Sequence, residues 1–79
     1  MNIDINELLY TFCEDTKVYD DECDLIAEGI LDSLAVMSLF AYLEDEGIEL
    51  QITQIDRSRL RTPASIKELV KEAYEKQKN

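Results

Sequence analysis

Asp32-Ser33-Leu34-Ala35-Val36-Met37-Ser38-Leu39-Phe40-Ala41-Tyr42-Leu43-Glu44-Asp45-Glu46-Gly47 is the stretch that decides the fold. It opens on an aspartate suited to N-cap a helix, and it closes on a glycine suited to the left-handed position just past a helix end. No proline or glycine interrupts it, so the spacing predicts a helix over about 33–46. Val36, Leu39, Phe40 and Leu43 form one apolar stripe at core spacing. Leu34, Met37 and Ala41 form a second stripe rotated away from the first. One helix thus offers more apolar surface than one core-facing stripe needs, and the surplus either packs on a neighbouring loop or receives a partner.

Upstream, Ile5, Leu8, Leu9, Phe12 and Cys13 recur at amphipathic-helix spacing, with Asp4 and Glu7 placed as a capping box. A first helix is expected over about 5–16. Residues 17–31 keep no sustained period and carry Asp20, Asp21, Glu22, Asp24 and Gly29. They read as a long loop anchored inward by Val18, Leu25 and Ile30 or Leu31.

Downstream, Ile48, Leu50 and Ile52 alternate with Glu49 and Gln51, but no second strand is available for pairing, so an ordered loop is expected. Thr53 can cap a short helix running to about Leu60. Pro63 at a first helical position opens the last helix, with Ile66, Leu69, Val70, Ala73 and Tyr74 on one face. Ser65 with Glu68 offers an alternative start. The expected fold is all-α: one domain over 1–79, a small bundle of three main helices plus one short helix, with a long first loop.

Composition fits that fold, since 79 residues support one core, and 46% apolar with 33% charged residues matches a folded helical domain better than a disordered chain. The 18 acids against 8 bases argue against nucleic acid and anionic membrane surfaces, whose binding needs Lys and Arg. Basic protein surfaces are the expected partners. The charge is uneven. Residues 1–56 hold 15 acids against Lys17 alone, for -14, whereas residues 57–79 hold 7 bases against 3 acids, for +4. No long apolar run or apolar leader is evident, so direct membrane insertion is not expected and a cytoplasmic location is. Cys13 and Cys23 read as two thiols of a reducing compartment rather than as a disulfide framework.

The chain has no histidine. That removes the usual general base for a serine or cysteine nucleophile and the commonest metal ligand. Carboxylates alone would need a concave site able to raise a pKa, which a domain of this size hardly provides, so no catalytic residue is expected. A calcium loop starting at Asp15 fails on spacing, with Lys17, Tyr19 and Asp20 where acids and then a glycine belong. No metal site is expected.

Ser33 can be a first-turn residue whose hydroxyl helps satisfy free helix N–H groups. It is also well placed to carry a phosphate, which the unpaired N–H groups and the macrodipole tolerate. Glu44, Asp45 and Glu46 sit at the helix C-terminus, where the macrodipole disfavours acids. They serve either solubility or the docking of a basic partner. Asp32, Leu34, Met37, Ala41, Glu44 and Asp45 are the candidate partner-docking residues.

Gly29-Ile30-Leu31-Asp32-Ser33-Leu34, followed by an apolar and acidic helix, resembles the acyl carrier and peptidyl carrier protein superfamily over nearly the whole chain. Within it, Ile52-Thr53-Gln54-Ile55-Asp56-Arg57, then Thr62-Pro63 and an apolar helix, is similar to the D-alanyl carrier protein subfamily of teichoic acid D-alanylation. Ala35-Val36, Ser38 and Gly47 depart from the common pattern and bear on the cognate ligase and acyl group more than on modification. The resemblance implies an acyl-carrier-protein-like fold and a monomeric, non-catalytic carrier with 4'-phosphopantetheine on Ser33. It further implies a phosphopantetheinyl transferase, an adenylating ligase and an acyltransferase, the last membrane-bound in the D-alanyl case. Fatty-acid, polyketide or nonribosomal-peptide carriage is the alternative within the class. An acidic helical adaptor without a prosthetic group is the alternative outside it.

Overall fold

Asp4, an extended residue whose carboxylate accepts the Glu7 N–H at 3.3 Å, starts the first helix of the computed structural model, which describes residues 3–51 and 54–77. This helix, α1, spans Ile5–Cys13 and so ends three residues short of the expected boundary. Glu14 takes the left-handed conformation (φ 54°, ψ 37°) and donates its N–H to the Tyr10 carbonyl at 2.8 Å. Asp15 then caps a 3-10 turn over Thr16–Tyr19 by accepting the Lys17 N–H at 2.9 Å. A short acidic side chain that bonds its own local backbone competes with helix continuation, which is why α1 stops here. The turn delivers Val18 to the core.

The long loop is held by anchors at both ends of its acidic segment. Leu25 is fully buried and Leu31 nearly so, while Ile30 is only half-buried. Asp24 receives Nε (3.0 Å) and Nη2 of Arg61, and Asp21 receives Nζ of Lys67 at 2.8 Å. Backbone bonds reinforce both contacts, from Leu25 to the Arg61 carbonyl (2.6 Å) and from Ala64 to the Asp21 carbonyl (3.2 Å). Asn6 on α1 ties in from the other side, donating to the Val18 carbonyl at 2.8 Å.

The second helix, α2, spans Ser33–Asp45. Its end is a Schellman motif: Gly47, at φ +87°, donates to the Glu44 carbonyl (2.9 Å), and Ile48 donates to the Leu43 carbonyl (2.8 Å). Ile48 and Leu43 are both buried beside this closure. Residues 48–51 are irregular loop, as the missing strand partner required, and Ile52 and the expected cap Thr53 lie outside the described residues.

The short helix is a 3-10 turn over Arg57–Leu60, later than the sequence predicted, because Asp56 caps it by accepting the Ser58 N–H at 2.9 Å. The last helix, α3, spans Pro63–Gln77. Thr62 and Ser65 cap it reciprocally, Ser65 N–H to Thr62 Oγ1 at 3.1 Å and Thr62 N–H to Ser65 Oγ at 3.2 Å. Ser65 is therefore spent inside the first turn, and the alternative start at Ser65 with Glu68 is not used.

Leu9 of α1, Leu39 and Leu43 of α2, and Ile66 and Val70 of α3 are fully buried together with Val18 and Leu25. Every core side chain among the described residues is apolar. Among the described residues the fold is all-α, with three α-helices of which α1 packs against both longer ones. Among the described residues, no helix is long and apolar enough to cross a membrane.

Candidate functional site

The approach to α2 is a tight turn built on Asp24. Its carboxylate accepts the Ala27 N–H (2.9 Å), and its carbonyl accepts the Glu28 N–H (3.0 Å). Gly29 follows at φ +70°, a conformation that glycine adopts freely, and both Ile30 and Leu31 then donate to the Leu25 carbonyl, at 2.9 and 3.1 Å. Leu31 is buried, Asp32 is extended (φ -96°, ψ 179°), and the Asp32 carboxylate accepts the Ala35 N–H at 2.8 Å. Asp32 thus supplies the predicted N-cap, and Ser33 becomes the first residue of the helix.

Ser33 is exposed, although the residues on either side of its turn, Leu31, Ala35 and Val36, are buried. Its hydroxyl makes no hydrogen bond among the described residues. That arrangement gives a fixed backbone and an available oxygen. Group attachment needs both.

The second stripe faces outward. Leu34 is 73% and Met37 62% exposed, and Ala41 is exposed beyond them, whereas Leu39 and Leu43 are fully covered. Packing on the loop is therefore not what the stripe does. Glu44 and Asp45 are exposed at the far end of the same helix. A surface about 15 Å long, apolar near Ser33 and acidic at its end, follows from 1.5 Å of rise per residue. All six predicted docking residues lie on α2 or its cap.

Sequence reasoning missed a cavity of about 310 Å³ beside Ser33. Ile26 and Leu31 from the loop, Val36 and Met37 from α2, and Ile55 and Leu60 from the region before α3 form its apolar wall. Arg57 also lines it, as the one charged residue of the lining among the described residues. Asp56-Arg57 stood out in the sequence, but nothing in the periodicity put this segment beside α2.

The two thiols are not activated. Burial pushes the Cys13 thiol up, and the Asp32 and Asp15 carboxylates add to the shift; burial and the Glu28 and Asp20 carboxylates do the same for Cys23. A thiolate nucleophile needs the opposite surroundings. No cluster of three or more His, Cys, Asp or Glu side chains is disposed to hold a metal ion among the described residues. The fit to a covalently carried phosphate group is better, because the exposed, unengaged Ser33 hydroxyl sits on a rigid turn with open space beside it.

In comparisons with known proteins, no family model matches the chain and no curated protein is significantly similar to it.

Proposed function

We propose that this chain is a carrier protein that holds an acyl or aminoacyl group on 4'-phosphopantetheine attached to Ser33. The observation that carries this reading is an exposed, unbonded serine hydroxyl at the first position of α2, beside the exposed Leu34 and Met37. In the attachment, Ser33 Oγ forms a bond to the β-phosphorus of coenzyme A while the bond from that phosphorus to 3',5'-ADP breaks. The serine proton passes to a base of the transferase, since this chain has no histidine to receive it. The group, once bound, supplies a terminal thiol that keeps its cargo activated as a thioester. The chain is a substrate of the transferase, an ATP-using ligase and an acyltransferase, and not itself an enzyme.

Leu34, Met37 and Ala41 serve as the apolar contact for these partners, and Asp32, Glu44 and Asp45 as the acidic rim that steers basic surfaces. The preferred cargo is D-alanine for teichoic acid D-alanylation, with a cytoplasmic carrier delivering to a membrane-bound acyltransferase. This rests on the resemblance around Asp56-Arg57 and Thr62-Pro63. A fatty, polyketide or peptidyl cargo is the second reading, favoured by the apolar cavity beside Ser33.

Intact mass after incubation with coenzyme A and a promiscuous phosphopantetheinyl transferase tests the proposal. One phosphopantetheinyl group is expected on the wild type and none on Ser33→Ala. No gain on the wild type, or a gain that survives Ser33→Ala, overturns it and leaves the acidic adaptor. Loading of the modified protein by a D-alanine ligase, against ligases for other acids, then decides the cargo.

A further inference from the structure

Lys17, Arg59, Arg61 and Lys67 are each engaged by a carboxylate of the fold, those of Glu28, Glu72, Asp24 and Asp21. Arg57 is the one arginine without such a partner among the described residues. It is exposed, yet its backbone is not free to wander. Asp56 caps the turn it begins, and Leu60, three residues on, is buried. Arg57 and Ser33 line the same cavity, whose remaining lining residues among those described are apolar.

We infer that Arg57 is a positioning residue that takes up the phosphodiester charge placed on Ser33. The inference rests on the carrier reading and deepens it. The need for such a residue follows from charge. A phosphodiester adds a negative charge next to Asp32, whose carboxylate is already held at the helix start by the Ala35 N–H, within a segment of net charge -14 over residues 1–56. Lys17, the single cation of that segment, is committed to Glu28 at 3.0 Å. A compensating charge must therefore come from outside the segment, and Arg57 is the cation that shares a cavity with Ser33. Its planar fork suits two oxygens of one phosphate, which a lysine meets only as a point charge.

The test compares apo and holo protein for the wild type, Arg57→Gln and Arg57→Lys, after intact mass has shown that each holo sample carries the group. In the wild type the Arg57 Nε–Hε resonance is expected to shift between apo and holo. Attachment is expected to lower the melting temperature of Arg57→Gln more than that of the wild type, with Arg57→Lys in between. An Arg57 resonance unmoved by attachment, or an equal change of melting temperature in all three proteins, overturns the inference while leaving the carrier reading intact. Absence of any mass gain instead overturns the carrier reading, and this inference with it. Arg57 is exposed, so neither substitution threatens folding.

Discussion

Leu34 and Leu39 make the division of α2 into a core face and a contact face quantitative, since they are the same residue type on one helix and differ in cover. Leu39 is fully buried, whereas Leu34 keeps 73% of its surface in contact with water. Truncating a fully buried leucine to alanine removes its transfer free energy and leaves a cavity, for a cost of about 2–5 kcal/mol. Only about a quarter of Leu34 is covered, so of the ~1.5–3 kcal/mol that full burial contributes, Leu34→Ala forfeits roughly 0.5 kcal/mol. For a domain whose total stability is on the order of 4–12 kcal/mol, the two substitutions fall in different classes. Urea unfolding followed by far-ultraviolet circular dichroism resolves them. With a slope of about 1 kcal/mol/M, Leu39→Ala moves the midpoint down by about 2 M or more, and Leu34→Ala by about 0.5 M. The functional ranking is inverted: Leu34→Ala, still folded, slows attachment to Ser33 or loading by about fivefold in kcat/KM if it loses ~1 kcal/mol of partner contact. Equal destabilisation by the two substitutions would refute the facing of α2, and unchanged kinetics in Leu34→Ala would refute its use as a contact.

Two further expectations concern the start of α2 and the acidic loop. Asp32→Ala removes the acceptor for the Ala35 N–H and costs about 1 kcal/mol, read in the same urea experiment, whereas Asp32→Ser retains most of the cap. The Arg61 guanidinium and then the Ala27 N–H hold Asp24 below the usual carboxylate range, and Lys67 and Asn6 do so for Asp21. Carboxylates depressed in the folded state contribute stability above their unfolded pKa of about 3.9 and lose it as the pH falls through the folded value. The urea midpoint of the wild type should lose the contribution of these pairs below about pH 4, and Asp24→Asn should be slightly less stable at neutral pH with a shallower acid limb. An unchanged acid limb in Asp24→Asn would show that the pair does not contribute.

How much of the fold was legible depended on whether local chemistry carried it. Both ends of α2 were readable because Asp32 and Gly47 are residues that a cap and a Schellman closure require, and the stripes between them repeat for three turns. Pro63 marked α3 for the same reason, although Ser65, which pairs with Thr62 to start it, read in the sequence as an alternative start with Glu68. The end of α1 was not readable, since the left-handed residue there is Glu14 and no glycine announces it. Four-residue 3-10 turns are too short to set up a period, so the one around Val18 showed only as an anchor in the loop and the one ending at Leu60 as a short helix with an earlier start. At the site, helical spacing separated the stripe of Leu34 and Met37 from the core stripe but left open whether it packs on the loop, which their exposure in the fold decides. The cavity and the place of Arg57 in it depend on how the segment before α3 returns to α2, which no local pattern encodes.

The same limit applies to the ion pairs of the basic segment. Helical spacing alone would pair Lys71 with Glu75 and Glu72 with Lys76 on α3. In the fold Glu72 instead receives Arg59 at 2.6 Å, and the more telling contacts run between distant segments, Arg61 to Asp24 across 37 positions and Lys67 to Asp21 across 46. Each such exposed pair contributes little by itself. Their placement matters more, because they join the acidic loop to the start of α3 where Leu25 and Ala64 also bond across. That loop leads through Gly29 into Asp32 and Ser33, so Arg61 and Lys67 tie down the segment that leads to Ser33. Two of the seven bases after residue 56, Arg61 and Lys67, thus lie where the acidic loop meets the start of α3.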